Sequence, residues 1–203
     1  MSRRAARRAA RPIITPKLLA SLSGLIVLAG IVIAFAVAHA VIKPAASEAP
    51  MFSTITAGDP APAFSVDTTQ GPFELSKAQR PVLLEIFATW CPHCQHETAV
   101  LNRLYLRYGH SVDFVAVTGS AYGSDRSSPE TLADVLGFVR FFHVQYPVAF
   151  DADLATAKEY LLGGYPTIAL IDRGKVAYIS SGEIPQATLS AKIEKTLTTA
   201  KGS

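Results

Sequence analysis

"VLLEIFATWCPHCQHE", residues 82–97, is the stretch on which the fold turns. Residues 82–88 form a near-continuous apolar run of strand length, as expected of a strand buried on both faces of a parallel or mixed sheet, with one acid, Glu85, in its middle. Residues 97–109, "ETAVLNRLYLRYG", place Val100, Leu101, Leu104 and Tyr108 at helical spacing and close on Gly109, a C-cap residue. Both cysteines of the chain, Cys91 and Cys94, therefore fall between a buried strand and a helix, with Cys91 at the helix N-terminus and Cys94 one turn along.

That placement has chemical consequences. A thiol at a helix N-terminus faces unpaired backbone N–H groups and the positive end of the helix dipole, and both favour the thiolate, the form that attacks disulfides. A spacing of two residues lets the second thiol resolve a mixed disulfide. Pro92 suits the first turn, where its missing donor costs nothing. Two other uses compete. Cys91, His93, Cys94 and His96 form a cluster of soft and borderline ligands that suggests copper or zinc binding or metal delivery. However, His93 and Cys94 are adjacent and point in different directions on a helix, so no metal site is expected. A purely structural disulfide fits an exported chain but not a C-x-x-C at a helix start preceded by Trp90.

Working outward, residues 63–66 and 72–75 flank the turn-rich "DTTQG" and predict a short hairpin. Residues 112–117 read as another apolar strand. Ser128-Pro129-Glu130 opens a second helix, with Ser128 as cap and Pro129 in the first turn, running to about His143. A short strand (148–150), a short helix (154–161), two strands, "PTIALI" and "KVAYIS", joined by Asp172-Arg173-Gly174, and a helix over 184–198 complete the chain. The pattern is α/β, one domain over 63–203 with a mixed central sheet flanked by helices. His110 and His143 find no partner in it.

The N-terminus has a different character. Residues 1–50 hold seven of the nineteen Lys/Arg against one of the sixteen acids, leaving twelve against fifteen and a net of −3 from residue 51 on. A domain of that balance presents no basic face for nucleic acid. Residues 18–42 carry no formal charge and as a helix span about 37 Å, enough to cross a hydrocarbon core of about 30 Å. This is read as a retained transmembrane anchor, longer than a signal-peptide apolar region, although Ala38-His39-Ala40 resembles a cleavage site. Six Lys/Arg precede it, so residues 1–17 are expected in the cytoplasm and everything after residue 43 outside. Residues 43–62, rich in Ala, Pro, Ser and Thr, are read as a linker.

"FATWCPHC", the later "GGYPT" and the leading "AGDPAPAFSV" together resemble the thioredoxin fold, and more closely the membrane-anchored, extracytoplasmic TlpA/ResA-like thiol-disulfide oxidoreductases. The resemblance implies that Cys91 is the attacking cysteine and Cys94 the resolving one, cycling through a Cys91–Cys94 disulfide with no other cofactor. It implies a cis-proline at Pro166 beside that disulfide, and at Tyr165 a position that tunes substrate choice. Glu85 matches the buried acid behind the resolving cysteine, and Glu97 an acid beside the pair; Glu85 is otherwise a salt-bridged residue at a sheet end, and Glu97 a solvated helix residue. Trp90, Pro92 and His93 are the remaining redox-tuning positions. Pro92-His93 equals the inner dipeptide of DsbA-like oxidases, where the histidine stabilises the thiolate by charge and hydrogen bonding and makes the disulfide more oxidising.

The frame implies a reductase of exported proteins, cytochrome c apoproteins among them, re-reduced by a membrane thiol carrier. A DsbA-like oxidase is the alternative, disfavoured because residues 119–144 supply only a loop and one helix where DsbA-like chains carry a larger helical insertion.

Overall fold

β3 (Val82–Phe87) is an interior strand of a mixed seven-stranded sheet, buried along its whole length because both of its faces are covered. The computed structural model describes residues 52–201. The sheet order is β2 (Gly71–Glu74), β1 (Ser65–Thr68), β5 (Val148–Ala149), β4 (Asp113–Thr118), β3, β6 (Thr167–Asp172) and β7 (Lys175–Ser181). β3, β4 and β5 run parallel, β6 returns antiparallel beside β3, and β7 pairs antiparallel with β6.

The two-residue period of β3 divides the core. Leu83 and Phe87 point to one face, packed with α1 (Pro92–Tyr108) through Leu101 and Leu104, α2 (Leu132–Phe141) through Val135 and Phe138, and α4 (Gln186–Lys201) through Leu189 and Ile193. Val82, Leu84 and Ile86 point to the other, against α3 (Ala155–Tyr160) through Ala157 and Tyr160 and against Phe64. Each such fully buried side chain contributes about 1.5–3 kcal/mol of transfer free energy, which makes the sheet a rigid base for the loops at its ends.

Two local expectations are corrected and one is met. The second helix starts at Leu132, capped by Thr131 in a capping box with Asp134, and not at Ser128. Residues 121–130 instead pair with themselves, Gly123 N–H to the Ser128 carbonyl and Glu130 N–H to that of Ala121, and the T-x-x-D signal at 131–134 was the one to follow. Gly109 is the C-cap of α1, as expected, in right-handed geometry (φ −60); a Cβ there would stand 2.7 Å from the Tyr105 carbonyl. From Ser53 onward the expected linker is docked on the domain: Ser53 N–H bonds the Leu161 carbonyl, Gly58 N–H that of Val176, and Ala61 N–H that of Gly174. The expected anchor over 18–42 lies outside the described residues, among which no helix is long and apolar enough to cross a membrane.

Candidate active site

The carboxyl end of β3 delivers Cys91 as the N-cap residue of α1, with Pro92 at the first helical position. Both cysteines are thiols in this structure, Cys91 4% and Cys94 0% exposed. Their chemistry is split. A hydrogen bond from the Cys94 thiol outweighs burial and, with the backbone N–H groups of Cys94 and His93 and the charge of His93, brings Cys91 down to about 6. Burial, with that same hydrogen bond and the charge of Glu85, pushes Cys94 far above the ordinary thiol range. One sulfur is ionised at neutral pH while its partner stays protonated.

Pro166 reaches this site through sheet register. Because β6 runs antiparallel to β3 with Thr167 opposite Ile86, the residues that precede β6 sit where β3 ends. The Tyr165–Pro166 peptide is cis, and the Cys91 thiol lies 3.7 Å from the Tyr165 carbonyl. The Tyr165 hydroxyl donates to the Gly119 carbonyl at 2.5 Å, and its ring meets Trp90 edge to face at 5.7 Å. Trp90 Nε1 donates to Ser120 Oγ at 2.8 Å, and the Arg126 guanidinium lies 5.0 Å over its ring. Residues 119–126 thus hold both aromatics that flank Cys91.

Glu85 shares a β3 face with Leu83 and Phe87, the face covered by α1, and is 2% exposed. Its Oε2 accepts from the Tyr146 hydroxyl at 3.3 Å, and Oε1 has no partner among the described residues. Burial, then the charge of Glu97, pushes Glu85 up to about 8 despite the phenol. The alternative of a salt-bridged acid at a sheet end is excluded: Glu85 is mid-strand, opposite Ala116 and Ile168, and its partner is a phenol. Glu97 is not a solvated helix residue either. It is 1% exposed, accepts from the Ile184 N–H at 3.0 Å, and is pushed up to about 7 by burial.

The His93 ring faces an acid from another part of the chain. The ring pairs with Glu183 Oε1 at 2.5 Å, which His96 also approaches at 3.4 Å, so only the backbone N–H and the charge of His93 act on Cys91. The pairing raises His93 and lowers Glu183. Among the described residues no three His, Cys, Asp or Glu side chains form a metal-binding group.

Sequence reasoning missed Tyr146, Glu183, Ser120 and Glu130. The last is a buried acid whose Oε1 accepts from Thr89 Oγ1 at 2.8 Å, two residues before Cys91, and whose pKa burial raises. No periodicity announces a polar partner that arrives from another element; the one available signal was that a buried acid on β3 requires a donor.

A thiolate at a helix N-cap, a buried second thiol one turn on and a proline loop against the first sulfur define a thioredoxin-type thiol-disulfide oxidoreductase. Residues 56–197 match the model of the Redoxin family, and the chain belongs to that family. It is 31% identical over 142 residues to the thiol-disulfide oxidoreductase ResA of Bacillus cereus, covering 68% of this chain and 77% of the relative. To the thiol:disulfide interchange protein DsbE of Yersinia pestis it is 28% identical over 140 residues, covering 66% and 69%. A crystal structure described as a thiol:disulfide interchange protein DsbE from Chlorobium tepidum superposes with TM-score 0.62 at 30% identity, covering 71% of this chain and 99% of that one. The enzyme class is therefore thiol-disulfide oxidoreductase of the ResA/DsbE type, acting on thiol-bearing proteins.

Proposed function

We propose that this protein reduces disulfides of exported proteins, apocytochromes c among them, through the Cys91–Cys94 dithiol and no other cofactor, tethered to the membrane by residues 18–42. The observation that carries it is the contrast between the thiols, Cys91 at about 6 and Cys94 far above the thiol range. Cys91 Sγ attacks a substrate disulfide, and the displaced sulfur leaves as a thiolate that takes up a proton. Cys94 then gives up its proton with Glu85 as acceptor and attacks Cys91 Sγ, so that the Cys91–Cys94 bond forms and the second substrate thiol is released. Two electrons pass to the substrate, and a membrane thiol carrier returns them. Trp90 and Tyr165 border the attacked sulfur, Pro166 adjoins it, Pro92 opens the helix that activates it, and Glu97 adds a second buried acid behind Cys94.

Two features support reduction over oxidation. A Cys91 at about 6 lies nearer the value of about 7 in thioredoxin than that of about 3.5 in DsbA. The Glu183 carboxylate tempers, without cancelling, the His93 charge that favours the thiolate. The test is the equilibrium reduction potential of the domain against glutathione, paired with alkylation of the thiols in intact cells. A potential near the roughly −270 mV of thioredoxin with free thiols is expected. A value near the roughly −120 mV of DsbA with a persistent disulfide, or tight stoichiometric copper or zinc binding, overturns it.

A further inference from the structure

Beside the redox centre runs a groove of about 400 Å³ that the chemistry above does not use. One wall is α2, presenting Gly137, Phe138 and Phe141, with Phe142 just beyond the helix; the other is Thr89 and Gln95. The second wall belongs to the active site, since Thr89 is two residues before Cys91 and the Gln95 N–H bonds the Cys91 carbonyl. The aromatic wall is continuous with the core: Phe87, the last residue of β3, meets Phe138 at 5.0 Å, and Phe138 meets Phe142 at 4.7 Å. Phe141 meets Phe142 edge to face at 4.9 Å and is itself 77% exposed, on a helix whose Val135 and Phe138 are buried. A Cβ at Gly137 would meet nothing within 4 Å, so the groove is open where the helix has no side chain.

The lining also says what the groove takes. Among the described residues it includes no cation, and its one acid, Asp134, is committed to the Thr131 capping box. A charged occupant would find no counter-ion there, whereas an aromatic or large aliphatic side chain would cover Phe138, Phe141 and Phe142. Thr89 and Gln95 lie two residues before and four after Cys91, so the groove opens beside the sulfur that a substrate polypeptide reaches.

We propose that this groove is a specificity site that receives an apolar side chain, aromatic or large aliphatic, lying close in sequence to the cysteine of the substrate polypeptide. It rests on the oxidoreductase reading and names the kind of substrate that reading leaves open.

The test follows oxidation of the reduced protein by Trp90 fluorescence, Trp90 being the one tryptophan of the chain. Three oxidants are compared: a disulfide-bearing peptide with Phe near its cysteine, the same peptide with Ser in that place, and glutathione disulfide. The intact protein is expected to react about tenfold faster with the Phe peptide than with the Ser peptide, the ordinary discrimination of an apolar pocket. Gly137→Phe, which fills the groove and replaces a helix-weakening residue, should abolish that difference and leave the glutathione disulfide rate unchanged. Phe141→Ser, an exposed change that leaves the fold intact, should reduce it. Equal rates with the two peptides, or a preference that survives Gly137→Phe in a protein with a native melting transition, overturns the proposal. So does a dimer that Gly137→Phe dissociates, which would assign the groove to a second copy. Failure of the intact protein to react even with glutathione disulfide would instead bring down the oxidoreductase reading itself, and this proposal with it.

Discussion

The Tyr146 hydroxyl donates to Glu85 Oε2 at 3.3 Å inside the core, two residues before β5 and four into β3, and among the described residues it is the one hydrogen bond that favours the carboxylate of this acid. Without it, burial acts unopposed. Tyr146→Phe should therefore raise Glu85 further above about 8 and move the pH profile of the resolving step, the attack of Cys94 on the mixed disulfide, to higher pH. Stopped-flow release of the second thiol from a preformed mixed disulfide measures it. An unmoved profile would separate Glu85 from the proton transfer.

The same acid shapes stability. Glu85 and Glu97 hold protons in the folded protein up to about 8 and about 7 but release them near 4.5 when unfolded, so the folded state binds more protons above about 4.5 and stability falls as pH rises. Cys91 works the other way: depressed from 9.0 to about 6, it adds stability as pH rises through 6. For the reduced protein, urea unfolding should show stability declining between pH 5 and 7, by on the order of a few kcal/mol, and then levelling. Glu85→Gln should flatten much of the decline. Stability that rises over this interval contradicts the assignment.

The Cys91 thiolate depends on its neighbour more than on the histidine, because the Cys94 thiol is the largest cause of its low value. Alkylation rates of the reduced protein should titrate with a midpoint near 6, with all label on Cys91. In Cys94→Ala the midpoint should rise, and by more than in His93→Ala. A larger shift for the histidine variant would reverse the order of causes.

Gly119 stands where β4 leaves the sheet, and a Cβ there would meet Ile86 Cγ2 at 2.5 Å and Tyr165 Cε1 at 3.2 Å. Gly119→Ala should cost about 1–3 kcal/mol by overpacking and displace Tyr165 from Trp90. A loss of stability by thermal melting together with an altered Trp90 emission spectrum is the expected pair of results.

At the start of α2, Thr131→Ala removes the capping box that joins Thr131 and Asp134. A loss of about 1 kcal/mol is expected by denaturant titration. Ser128→Ala should cost less, since the Ser128 side chain serves only Asp125 in an exposed turn.

The parts of this molecule legible in the sequence are those set by short-range rules. The apolar run of residues 82–88 already marked a strand buried on both faces with Glu85 inside it, and that run followed by C-P-x-C already put Cys91 at a helix start. Ser128 misled because Ser-Pro-Glu satisfies the capping rule as well as Thr131 does, and only the pairing of 121–130 with itself decides between them. The partner of the His93 ring was not legible either, because Glu183, ninety residues away, takes it at 2.5 Å.

By itself, then, the sequence determined strand, turn and helix around the two cysteines, the alternation of α and β elements, and the apolar character of residues 18–42, because side-chain period, capping and charge act over a few residues of chain. The tertiary structure alone decided that the Tyr165 carbonyl stands against the Cys91 thiol, that Tyr146 serves Glu85, and that Ile184 serves Glu97. Each of those contacts joins residues at least sixty apart in the chain. It exists only because the antiparallel return of β6 and the packing of the helices on the β3 face bring those backbones together.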